Sequence, residues 1–258
     1  MKYLWEDGED LDEKIPSKKK RLVFLDFDGT LVSIAKSPDA VYLEARTKKL
    51  LEALSADKKT QLVVVSGRPL KELRRYLHLK NVILVGNHGL EIHGKKVPLP
   101  ADAKKARRLK HLIMQLSKKF KMIFTSYPGT WVEDKHYTLS VHFRDLPRGQ
   151  TMVFDELIRF FKKEYGRYPL VWTRGKKVIE IRPNVYWGKG DVVTHLIKRF
   201  PHSVPVAIGD DRGDEDMFKA LKGRGGLSVR VGYSRSSVAD YYLSSPHEVK
   251  TFLQELCP

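Results

Sequence analysis

Arg21-Leu22-Val23-Phe24-Leu25-Asp26-Phe27-Asp28-Gly29-Thr30-Leu31 is the stretch that decides the fold. Residues 21–25 form a short apolar run of strand formers, and Asp28-Gly29 marks the turn that ends it. The same punctuation recurs along the chain. Gln61–Val65 ends in Ser66-Gly67-Arg68-Pro69, and Val82–Val85 ends in Gly86-Asn87-His88-Gly89. Val204–Ile208 ends in Gly209-Asp210-Asp211. Between the first three runs, Leu50, Leu51 and Leu54, then Leu70, Leu73 and Leu77, fall at helical spacing. A helix is expected over about 189–200, with short strands at Leu227–Val231 and Tyr241–Leu243 and a C-terminal helix. Near-continuous apolar strands alternating with helices predict an α/β fold, a parallel sheet covered by helices on both faces.

The rhythm changes near residue 98. A long basic amphipathic helix buries Leu109, Leu112, Ile113, Leu116 and Phe120 at helical spacing. Thr138, Ser140 and His142 then alternate with Leu139, Val141 and Phe143, as in a strand buried on one face. A second amphipathic helix carries Met152 to Tyr165, and a hairpin pair follows around Gly175-Lys176. The reading is of three segments: an N-terminal extension at 1–17, a core from 18–98 and 186–258, and an inserted α+β domain at 99–185.

The chain has 258 residues and a formal net charge of +17. The basic runs are Lys18–Arg21, Lys104–Lys110 and Lys118–Lys121. They raise nucleic acid as a ligand. Their helical interleaving with apolar residues favours a solvated helix face, and nucleic-acid binding is set aside as the main function. No apolar run approaches the ~20 residues of a membrane span. The acidic N-terminus has no apolar signal-peptide core, and the one cysteine, Cys257, excludes an internal disulfide framework. A cytoplasmic protein is expected.

The chemistry gathers at the strand ends, where open α/β sheets bind ligands. Asp26 and Asp28, two apart, suit a nucleophile and a general acid/base. Ser66 offers a hydroxyl to a phosphoryl oxygen, and Lys189 opens a helix with a cation for the same group. Asp210, Asp211 and Asp214 place three carboxylates within five positions, which repel one another unless a cation binds. Oxygen-only ligands favour Mg²⁺.

DFDGTL at 26–31, SGR at 66–68, Lys189 and GDDRGDEDMF at 209–218 resemble the four ordered motifs of the haloacid dehalogenase superfamily of phosphatases. The resemblance implies a Rossmann-like core carrying a C2-type cap. It implies Asp26 as phosphoryl-accepting nucleophile and Asp28 as general acid/base, with Ser66 and Lys189 holding the phosphoryl group. Mg²⁺ is implied at Asp26, the Asp28 carbonyl and Asp210, with Asp211 or Asp214 in support. The sequence departs from the pattern at Gly213, where a threonine is usual; the loss removes a hydroxyl at the start of a helix.

GNHGLEI at 86–92, VEDKHYTLSVHFR at 132–144 and VIEIRP at 178–183 are similar to trehalose-6-phosphate phosphatases. That similarity implies sugar recognition by Glu133, Lys135 and Glu180. Asn87, His88 and Glu91 match the loop beside the active site, and Arg144 and Arg182 match basic positions. Trp131, Trp172 and Trp187 could offer apolar faces to sugar rings. The expectation is a Mg²⁺-dependent phosphatase of trehalose biosynthesis, acting as a monomer on a small sugar phosphate. The rivals are a phosphatase of another sugar phosphate or sugar phosphoglycerate, a nucleic-acid binder on a phosphatase-like core, and a regulatory partner of a trehalose-phosphate synthase.

Overall fold

A computed structural model describes residues 1–6, 11–34, 41–94, 97, 101–175, 177–185 and 187–258, without the side chains of 101–103. Two compact units divide the chain: Met1–Pro98 with Trp187–Pro258, and Leu99–Tyr186. The junctions expected at 98–99 and 185–186 fall partly outside the described residues, as does Lys176 of the expected hairpin.

The first unit is built on β2 (Lys20–Asp26), β3 (Thr60–Val65), β4 (Val82–Gly86), β10 (Ser203–Gly209), β11 (Leu227–Val231) and β12 (Tyr241–Leu243). With β1 (Lys2–Tyr3) and β5 (Glu91–His93) they form one sheet, ordered β1-β12-β11-β10-β2-β3-β4-β5. Every pair is parallel except β4 with β5. The apolar runs have a simple cause. Val23, Leu25, Val64 and Ile208 pack into one core, and Leu22, Phe24, Val65 and Ala207 into another on the opposite face. With both faces covered, alternation has no reason to exist. α2 (Ala45–Ala56), α3 (Leu70–Tyr76) and α9 (Pro246–Glu255) cover the first face, and α7 (Lys189–Arg199) and α8 (Glu215–Leu221) the second.

The N-terminal residues differ from the tail that their acidity suggests. Lys2 and Tyr3 pair with Tyr241 and Tyr242 of β12, α1 (Leu11–Lys14) follows, and Leu4 and Ile15 are buried in the first core. Four apolar side chains among the acids, Leu4, Trp5, Leu11 and Ile15, are enough to dock the segment.

The second unit is an antiparallel sheet ordered β6-β7-β9-β8, with β6 at Trp131–Asp134, β7 at Leu139–His142, β8 at Leu170–Gly175 and β9 at Val178–Pro183. The long basic helix is in fact two, α4 (Ala101–Arg108) and α5 (Lys110–Phe124), broken at Leu109. With α6 (Thr151–Glu164), α5 covers the sheet face bearing Leu139, Val141, Ile179 and Ile181. Phe120 and Phe154 centre that core. The alternate positions, Ser140, His142, Glu180 and Arg182, belong to the other face.

Candidate active site

Strand register assembles the site. Leu25 pairs with Ile208 and Asp26 with Val65, so the first residues beyond β3 and β10 arrive beside Asp26. Asp26 is buried, and the ammonium of Lys189 donates to its Oδ1 at 2.8 Å. The same ammonium donates to Asp214 Oδ1 at 2.7 Å. Lys189 enters this cluster because it is the first residue of α7 and only 5 % exposed.

Asp214 then organises the third loop. Its Oδ2 accepts the backbone N–H groups of Asp210 and Asp211, each at 3.0 Å. Asp211 Oδ1 accepts the Asp214 N–H at 3.0 Å. That carboxylate ties down the backbone of Asp214, the residue just ahead of α8 (Glu215–Leu221), across Gly213. Gly29 has φ +89°, and a Cβ there would lie 2.2 Å from Asp210 Oδ2. The position requires glycine twice over, for its backbone and for its missing side chain.

The electrostatics report crowding. Burial pushes Asp26 up to about 7; Lys189 opposes this, and Asp210 and Asp211 add to it. Asp210 is likewise pushed to about 7, by burial and then by Asp214 and Asp211. Asp214 is raised well above the carboxylate range by burial and by Asp26. Burial alone would lower Lys189, but its neighbours, led by Asp26 and Asp214, raise it, so it stays charged. Carboxylate oxygens of Asp26, Asp210 and Asp214 lie within 4.8 Å of one another. Asp210 Oδ1 is buried without a hydrogen-bond partner. An orphaned oxygen within a set of mutually repelling carboxylates fits a hard divalent cation.

Asp28 sits apart from this cluster. Arg68 Nε donates to its Oδ2 at 2.7 Å and Arg68 Nη2 to its Oδ1 at 2.8 Å, a two-point fork. Ser66 is buried at the end of β3, its Oγ accepting the Arg68 N–H at 3.1 Å. Asn87 and His88 both take left-handed backbone, at φ 49° and 54°. Glu91 Oε2 accepts from Asn87 Nδ2 at 2.6 Å and from the Leu70 N–H at 2.9 Å. In the structure, Glu91 ties this loop to the start of α3.

In the second unit, register aligns Glu133 with Ser140, and Ser140 with Glu180. Lys135 Nζ lies 3.5 Å from Glu133 and 3.8 Å from Glu180. His142 Nε2 is 2.9 Å from Glu133 Oε2. Burial would raise Glu133, but His142 and Lys135 together hold it below its usual value. Arg182 follows Glu180 by two on β9, hence on the same face, whereas Arg144 is exposed beyond the end of β7.

Two partners escape the motif reading. His142 was legible in principle, because its alternation with Ser140 places it on the Glu133 face. The Arg68–Asp28 fork spans 40 positions and leaves no local signal. Of the three tryptophans considered for sugar rings, Trp172 packs near Phe120 and Trp187 donates to the Gly89 carbonyl at 2.9 Å. Trp131 is 45 % exposed.

The parallel sheet and the inserted antiparallel unit give the chain the fold of the haloacid dehalogenase superfamily, with a buried Asp26–Lys189–Asp214 cluster at its strand ends. Within it, the chain belongs to the trehalose-phosphatase family, whose model matches residues 24–247. It is 34 % identical over 255 residues to the probable trehalose-phosphate phosphatase 4 of Oryza sativa subsp. japonica, covering 95 % of this chain and 68 % of that protein. It is 30 % identical to trehalose-phosphate phosphatase B of Arabidopsis thaliana, covering 92 % of this chain and 66 % of that protein. The chain thus spans about two-thirds of the length of these relatives. The C-terminal domain of Candida albicans trehalose-6-phosphate phosphatase superposes with a TM-score of 0.75 at 25 % identity, covering 95 % of this chain and 94 % of that one. Among the described residues, no helix is long and apolar enough to cross a membrane.

Proposed function

We infer that this chain is a phosphoric monoester hydrolase that converts trehalose 6-phosphate to trehalose and phosphate. The observation carrying the chemistry is the Lys189 ammonium held 2.8 Å from a buried Asp26, in a chain that matches the family over residues 24–247. Lys189 occupies Oδ1 of Asp26, which leaves Oδ2 as the attacking atom. Attack on phosphorus forms the Asp26–phosphorus bond and breaks the bond to the sugar oxygen, which takes a proton from Asp28. Asp28 then takes a proton from water as that water attacks phosphorus and releases Asp26. The Arg68 fork fixes the orientation of the Asp28 carboxyl group. Ser66 and Lys189 are assigned to the phosphoryl oxygens.

Asp26, the Asp28 carbonyl and Asp210 would hold Mg²⁺, with Asp214 and Asp211 orienting them. Such an ion would neutralise charge on the phosphoryl oxygens. The Glu133–Lys135–Glu180 row is assigned to sugar hydroxyls, since charged acceptors and donors discriminate strongly for hydroxyl-bearing ligands. Asn87, His88 and Glu91 shape the loop after β4, and Arg144 and Arg182 supply positive charge for the ester. All of these residues belong to one chain, so a monomer suffices. The one cysteine, Cys257, is free, which suits the cytoplasm.

The test is phosphate release from trehalose 6-phosphate, glucose 6-phosphate, sucrose 6-phosphate and mannosyl-3-phosphoglycerate, each with Mg²⁺ and with EDTA. Mg²⁺-dependent turnover confined to the trehalose ester is expected. Preference for another ester would overturn the sugar assignment and leave the core chemistry standing.

A further inference from the structure

Trp131 is a large aromatic side chain left nearly half exposed, and its setting is ordered. Its ring stacks on His142 with centroids 3.8 Å apart and planes at 5°. Trp131 pairs with His142 across β6 and β7, two positions from the Glu133–Ser140 pair on both strands. Strand alternation therefore puts Trp131 on the same face as Glu133 and Glu180. His142 serves both neighbours, because its Nε2 meets Glu133 Oε2 at 2.9 Å while its ring supports the indole. The result is a flat apolar surface, 45 % exposed, fixed beside a charged hydrogen-bonding row.

The spacing suits a disaccharide. Two residues along a strand span about 7 Å. One hexose engages the charged row with its hydroxyls, and the next ring along a glycosidic bond reaches the neighbouring pair. The apolar face of a pyranose matches an indole plane, and a ring already braced loses little freedom on binding.

We propose that Trp131, braced by His142, is a specificity-determining platform for the glucose ring of trehalose 6-phosphate that does not carry the phosphate. This rests on the trehalose 6-phosphate reading above. His142 is a positioning residue that orients Glu133 and Trp131 together.

The experiment compares KM and kcat of the wild type, Trp131→Ala and Trp131→Phe on trehalose 6-phosphate and on glucose 6-phosphate. Covering one indole face removes on the order of 50 Å² of apolar surface from water, which corresponds to about tenfold in affinity. Trp131→Ala is therefore expected to raise KM for the disaccharide ester about tenfold, with kcat within about twofold and KM for glucose 6-phosphate unchanged. Trp131→Phe keeps a smaller plane and is expected to recover most of the loss; it also carries the test if the alanine variant fails to fold. An unchanged KM for the disaccharide ester in the folded variants, or an equal rise for both esters, would overturn the platform alone. A wild type that does not prefer trehalose 6-phosphate to glucose 6-phosphate would overturn both the platform and the functional reading.

Discussion

Among the described residues Lys189 is the one cation that touches both Asp26 and Asp214, and Lys189→Met removes it. The side chains involved are 4 %, 5 % and 0 % exposed, so water cannot take the place of the ammonium. Breaking a buried ion pair from one side costs about 3–5 kcal/mol. The ammonium also opposes the rise of Asp26, so without it Asp26 keeps its proton to a pH above about 7. Each pH unit by which that proton is held beyond the wild type adds about 1.36 kcal/mol to the deficit.

The sign follows from linkage. Above about pH 7 the variant's folded state binds more protons than the wild type's, so the deficit against wild type grows as pH rises. It is thus expected to be about 3–5 kcal/mol at pH 7 and larger at about pH 8.5. Urea unfolding of both proteins in EDTA, at the two pH values, measures it. A deficit below about 1 kcal/mol at pH 7, or one independent of pH, would refute the claim that Lys189 neutralises a sealed carboxylate cluster.

Asp26→Asn should abolish phosphate release, by at least about 10⁴-fold, while circular dichroism shows an intact fold; substantial remaining turnover would remove Asp26 as nucleophile. Divalent cation competes with protons at Asp26 and Asp210, which both lie near 7, so the rise in melting temperature on adding Mg²⁺ should be larger at pH 8 than at pH 5. Gly29→Ala drives a Cβ into Asp210 and should cost at least about 100-fold in turnover. Gly223→Ala, at φ +70° with open space around it, should cost only about 1–2 kcal/mol of stability and leave kcat unchanged, as thermal scans and rates will show.

Much of the fold was legible because burial writes itself into composition. Leu22–Leu25, Leu62–Val65 and Ile83–Val85 read as buried strands since both sheet faces are covered by helices. The alternation of Leu139 and Val141 with polar residues marked β7 as a strand, but its polar face is covered as well: Thr138 and Ser140 are 6 % and 1 % exposed. The failures were local signals that tertiary contacts overrode. Lys2–Tyr3 is too short and polar to announce a strand, yet β12 offers it an open edge. The basic helix carries a continuous apolar stripe, and its break at Leu109 has no proline or glycine to mark it.

The site divides along the same line. The order of Asp26, Asp28, Ser66, Lys189 and the three later aspartates was determined by sequence alone, because each sits where a strand must end and a turn residue is needed. Their partition into roles was decided by tertiary structure. Asp26 and Asp28 are two residues apart, but one lies against Lys189, sealed from water, and the other is held by Arg68. Asp211 and Asp214, alike on paper, become a loop tie to the Asp214 backbone and a buried anchor. Protonation and reach depend on desolvation and on partners up to 163 positions away, and no local pattern in a chain encodes either.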